Sequence, residues 1–199
     1  MQLELDNETL NRALRSLAFR LKENGGRPVE LVVCGGSALI LMGLVTRTTK
    51  DVDVVALAKG RVLYSPDPLP EDITKAAKEV AEDLGLGDNW LNNGPSRGEG
   101  GLFQMGLPEG FSHRLHTEKY GSHLTAHFID RLDQIYFKLY AVVDQGGYHM
   151  DDLRALNPAS SEMESAARWA MTHDVSDGFA AVLKDFLGKF GYADVADRL

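Results

Sequence analysis

Residues 30–44 read ELVVCGGSALILMGL, and residues 51–55 read DVDVV. The first stretch opens on a short β-branched run, 30–34, of the kind that forms a buried strand. It breaks at Gly35-Gly36-Ser37, after which 38–44 continues as an apolar helix closed near Gly43. Two glycines let a backbone turn sharply and approach a ligand closely, because no Cβ stands in the way. The helix that follows offers unpaired N–H groups and a positive dipole end to a phosphate, and Ser37 adds a hydroxyl. The pattern is not a P-loop, since no Gly-Lys-Ser/Thr follows. Nor is it a hydrolase nucleophile elbow, because Leu39 stands where Gly-x-Ser-x-Gly needs its second glycine.

Asp51-Val52-Asp53 supplies the other half of the pattern. On a strand, residues i and i+2 project from the same face, so both carboxylates point together while Val52 and Val54 face the core. Two neighbouring ionised carboxylates repel, and the arrangement is costly without a cation. Oxygen ligands of this kind suit Mg²⁺ or Mn²⁺, ions that neutralise triphosphate charge and activate a hydroxyl for attack.

Outward from this centre, Leu10, Ala13, Leu14, Leu17 and Leu21 recur at helical spacing behind Asn7 as N-cap, and Gly25-Gly26 ends the helix. Residues 57–70 hold three prolines and read as a connection or edge hairpin. Ile73, Ala76, Ala77, Val80, Ala81 and Leu84 predict an amphipathic helix stopped by Gly85 and Gly87, residues 88–112 predict loop with short strands, and 123–129 a strand. From Asp133 onward the pattern is helical, over 134–143, 161–171 and 175–190. The expected fold is α+β: a small mixed β-sheet flanked by helices over 1–130, with a helical C-terminal subdomain, 131–199, packed on it.

Length and composition narrow the function classes. The chain has 199 residues, a single cysteine and a formal net charge of −8. One cysteine excludes a disulfide framework and a Cys-x-x-Cys zinc site. The acidic balance argues against a protein that grips many phosphates, although Arg15/Arg20/Lys22 and Arg47/Lys50 form local basic clusters. No apolar run is long enough to cross a bilayer, and the N-terminal stretch shows no signal-peptide pattern, so a cytoplasmic location without membrane partners is expected.

Gly36-Ser37, thirteen residues, then Asp51-Val52-Asp53-Val54 resembles the polymerase-beta-type nucleotidyltransferase pattern, in which Gly-Ser precedes acidic-x-acidic. Within that group the chain is similar to the AbiEii-type toxin family and its bacterial relatives. Residues 47–51, 89–92, 106–111, 133–141 and 149–156 also carry the likeness. The resemblance implies the nucleotidyltransferase fold and transfer of an NMP group from an NTP to an acceptor hydroxyl on RNA, a protein or a small molecule. It implies Mg²⁺ or Mn²⁺ held by Asp51 and Asp53, and a nucleotide held by Gly35, Gly36, Ser37, Arg47 and Lys138. Lys138 and Asp152 match residues near the triphosphate and join the catalytic set. A cognate antitoxin is the implied partner.

From the residues alone, Lys138 is either aimed at a cleft or a surface lysine resting its stem on apolar neighbours, and Asp152 is either a site acid or a cap for a helix starting near Leu153. One departure matters. Active enzymes of the pattern usually carry a third carboxylate on a later strand, yet 123–129 offers His127 and no acid before Asp130, and 101–107 offers none. No general base is identified. A catalytically inactive nucleotide-binding or regulatory module is therefore the rival reading, and a metal-independent NTP sensor a third. His113 and His116 at helical spacing read as surface histidines, Cys34 as a buried strand residue, and Trp90 and Trp169 as packing residues.

Overall fold

A computed structural model describes residues 4–145, 147 and 149–199 of the chain. The architecture is α+β: a mixed six-stranded sheet with flanking helices, then a run of C-terminal helices. The chain divides into two compact units, Met1–Asp130 and Arg131–Leu199.

In the first unit, α1 (Asn7–Glu23) leads into β1 (Val29–Cys34) and α2 (Gly35–Leu41). β2 (Val52–Lys59), β3 (Val62–Tyr64), α3 (Glu71–Leu84), β4 (Leu91–Asn92) and α4 (Leu102–Met105) follow, then β5 (His116–Lys119) and β6 (Leu124–Phe128). The strand order is β3-β2-β1-β6-β5, with β4 also paired to β2. β1 runs antiparallel to β2 and parallel to β6. The C-terminal end of β1 therefore lies beside the start of β2, and that edge carries the glycine turn and the Asp-x-Asp.

α1 forms where the leucine spacing predicted it. The N-cap is Asp6 and not Asn7: its carboxylate accepts from Thr9 N at 2.8 Å, and that bond holds its carboxyl below its usual range. Leu10, Leu14, Leu17 and Leu21 are fully buried against Leu31, Val33, Val52 and Val54 of the sheet and Ile73, Ala76 and Val80 of α3. Each buried leucine contributes about 1.5–3 kcal/mol of transfer free energy. Trp90 sits in the same core and donates from Nε1 to the Ala77 carbonyl at 2.8 Å, the packing role expected of it.

Several expectations shift. The proposed helix at 38–44 starts earlier, at Gly35, so the glycines form the first turn of α2 and do not precede it. Within 101–107, weighed as a strand, Leu102–Met105 form the helical turn α4. A Cβ at Gly101 would lie 2.4 Å from the Ser96 carbonyl carbon, so only glycine lets the chain fold back there. β5 was not foreseen, because all four of its residues are exposed and polar and give no apolar alternation. It places His116 on a strand, with Nε2 2.9 Å from Asp130 Oδ2, while His113 ends a 3-10 turn, so the two share no helix face.

The second unit comprises α5 (Arg131–Gln145), α6 (His149–Leu156), α7 (Ser160–His173), α8 (Asp177–Phe190) and α9 (Ala193–Ala196). Tyr136, Phe137 and Tyr140 of α5 ring Trp169 of α7, with centroids 5.6–6.1 Å apart. Arg131 ties the start of α5 to Glu162 at 2.7 Å. Among the described residues no helix is long and apolar enough to cross a membrane.

Candidate functional site

The site is assembled by the register of β1 on β2. Cys34, the last residue of β1, pairs with Asp53, and Val33 pairs with Val54. Val52 and Val54 are fully buried while Asp51 and Asp53 are half-buried, so the alternation puts both carboxylates on the side away from the core.

Gly35 has φ +70°, a left-handed conformation that side chains disfavour, and a Cβ there would lie 2.7 Å from Asp53 Oδ2. The Asp53 carboxylate thus occupies the space that any other residue's Cβ would need. Gly36 makes the same allowance for different groups. Its Cβ would lie 2.9 Å and 3.2 Å from the Arg47 guanidinium nitrogens and 3.0 Å from Thr49 Oγ1. Two consecutive glycines therefore admit a carboxylate, a guanidinium and a hydroxyl to the first turn of α2.

Arg47 is held over that turn by a bond from Nη1 to the Thr48 carbonyl at 2.8 Å. Thr49 Oγ1 lies 3.2 Å from Asp51 Oδ1, linking the first carboxylate to the glycines. Ser37 is buried at 1% exposure, and its hydroxyl turns back 3.4 Å to the Cys34 carbonyl. Gly35, Gly36, Arg47, Asp51 and Asp53 are thus brought together, with Ser37 in the same helical turn but directed at the backbone.

The donor chemistry fits a hard divalent cation: two half-buried carboxylates two residues apart at the start of β2, with a guanidinium nearby. Among the described residues no group of three or more His, Cys, Asp or Glu side chains is placed to share an ion. On the side away from β1, the start of β2 pairs with β4, where Asn92 stands beside Asp53. β6, weighed as the source of a third carboxylate, lies against β1. Its His127 is committed to Glu30 Oε2 and Thr117 Oγ1, each at 2.8 Å.

Lys138 and Asp152 meet within the C-terminal unit. Lys138 Nζ of α5 lies 2.7 Å from Asp152 Oδ2 of α6, and both side chains are buried. His149 Nδ1 lies 3.5 Å from the same ammonium. The burial rules out a surface lysine, and α6 starts at His149, so Asp152 stands inside the helix and is not its cap. Cys34 and Trp169 are packing residues as read, Cys34 buried at the end of its strand.

Thr49 was missed as a site residue, although its position two before the first carboxylate gives it the reach of an Asx-type hydroxyl contact.

Residues 12–155 match the model of a family described as "Nucleotidyltransferase of unknown function (DUF6036)". Neither the curated proteins nor the solved structures offer a match to the chain.

Proposed function

The chain belongs to that nucleotidyltransferase family, and from this premise we propose that it moves an NMP group from an NTP to an acceptor hydroxyl with the help of Mg²⁺ or Mn²⁺. The observation that carries the reading is the close approach of Asp53 to Gly35 and of Arg47 to Gly36. It supports a phosphate cradle and a carboxylate pair built as one unit.

Asp51 and Asp53 hold the cation, which when bound neutralises triphosphate charge and favours loss of a proton from the attacking hydroxyl. Arg47 takes phosphate oxygens by the planar fork of its guanidinium. The glycines leave room for the Asp53 carboxylate and the Arg47 guanidinium to lie against the α2 turn, which brings the groups for cation and phosphate together. The AbiEii-type likeness also implies a catalytic role for Lys138 and Asp152, which form a buried ion pair within the second unit. The same likeness supports a toxin–antitoxin or defence setting with a cognate antitoxin; RNA, a protein and a small molecule remain the acceptor classes to test.

The test is a titration of each NTP with Mg²⁺ into the wild type and Asp51→Ala/Asp53→Ala. Binding that needs the metal and disappears in the double variant supports the reading; equal binding by both overturns the metal assignment. A second reading, a catalytically inactive nucleotide-binding module, is favoured by one observation. Among the described residues no third carboxylate joins the Asp51/Asp53 pair, and Asn92, paired with Asp53 on β4, turns its amide oxygen to Gly94 N at 2.7 Å. Metal-dependent NTP binding without label transfer to any acceptor selects it.

A further inference from the structure

We propose that Thr49 is a positioning residue for the metal-binding pair: its hydroxyl donates to Asp51 Oδ1 and holds that carboxylate in one orientation beside the glycine turn. The inference rests on the metal reading above and adds a residue to it. Thr49 is buried, at 9% exposure. Its backbone is pinned on both sides by Leu5, with Leu5 N to Thr49 O at 2.7 Å and Thr49 N to Leu5 O at 2.9 Å. Leu5 is itself fully buried in the core. The hydroxyl therefore springs from a fixed point and does not swing on a loop.

Two acceptors lie within its reach and both belong to Asp51: Oδ1 at 3.2 Å and the main-chain carbonyl at 3.5 Å. One hydroxyl hydrogen serves one acceptor well, and the shorter contact to a charged oxygen is the stronger. The hydroxyl also lies near Gly36, where an added Cβ would come within 3.0 Å of it. Gly36, Thr49 and Asp51 thus form a chain from the α2 turn to the first carboxylate.

Partners that orient metal-ligating groups typically change metal affinity by about 10–100-fold when removed. The 3.2 Å separation is longer than the usual hydroxyl bond, which places the effect near the lower end of that range. The test is Mn²⁺ titration of the full chain, without nucleotide, followed by electron paramagnetic resonance. Thr49→Val keeps the shape and removes the donor, Thr49→Ser keeps the donor, and Thr49→Ala repeats the removal if the valine variant misfolds.

The expected result is about 10-fold weaker Mn²⁺ binding in Thr49→Val, with Thr49→Ser close to wild type. Equal affinity in wild type and Thr49→Val (or Thr49→Ala) overturns the inference while leaving the metal reading intact. Equal losses in the valine and serine variants also overturn it, because packing and not the hydroxyl would then be responsible. Wild-type protein that binds no Mn²⁺ overturns the metal reading itself, and this inference with it.

Discussion

Replacing Gly35 by alanine separates backbone strain from the chemistry of the site. Gly35 sits at φ +70°, and a side chain held in this region costs about 1–2 kcal/mol. The new Cβ would also lie 2.7 Å from Asp53 Oδ2, far inside van der Waals contact. That oxygen is the tip of a rotatable side chain, so the clash is relieved by swinging the carboxylate away and adds little to the stability loss. Gly43 supplies the control: its φ is also +70°, yet a Cβ there meets nothing within 4 Å. Gly35→Ala and Gly43→Ala should therefore unfold with similar losses, about 1–2 kcal/mol each, or thermal midpoints lowered by about 2–8 °C. Mn²⁺ affinity should fall about 10-fold or more in Gly35→Ala alone. Chemical denaturation and Mn²⁺ titration of the two variants side by side make the comparison. Folded Gly35→Ala with wild-type metal affinity, or an equal affinity loss in Gly43→Ala, would refute the reasoning.

Three further outcomes are expected. Lys138→Met leaves the buried Asp152 carboxylate without its ammonium partner and should destabilise the protein by about 3–5 kcal/mol, read by urea unfolding. Trp90→Phe removes the Nε1 bond to the Ala77 carbonyl and should cost about 1–2 kcal/mol without altering metal affinity. Glu164 is held below its ordinary carboxyl value, first by Arg168 and then by Arg198. A lowered folded-state value means that its contribution is present above the unfolded value and fades as pH falls through the folded one. Thermal midpoints of Glu164→Gln should therefore approach those of wild type at acid pH, with the gap at neutral pH shrinking in high salt.

The parts of the fold legible in the sequence were those with strong periodicity. The leucine spacing of α1, the β-branched run of β1 and the alternation after Asp51 each carry a pattern that one buried face imposes. β4 and β5 were hidden for opposite reasons. β4 is two residues long, and β5 is an edge strand whose His116, Thr117, Glu118 and Lys119 face solvent. The site was legible as residue types at a spacing, because glycines and alternating carboxylates keep their meaning wherever the chain places them. Its assembly was not: the contacts of Arg47 and Thr49 with Gly36 depend on how the chain between α2 and β2 returns. The burial of Lys138 and Asp152 likewise depends on two helices meeting, which no local pattern records.

The central claim is that Asp51 and Asp53 serve metal-dependent transfer of an NMP group. Its most direct test is incubation of wild type and Asp51→Asn/Asp53→Asn with each α-³²P-labelled NTP, Mg²⁺ and a lysate, followed by separation of RNA, protein and small molecules. Label should enter one acceptor class with the wild type, require the metal and vanish in the variant. Label transferred equally by the variant, or by the wild type in excess EDTA, would contradict the claim.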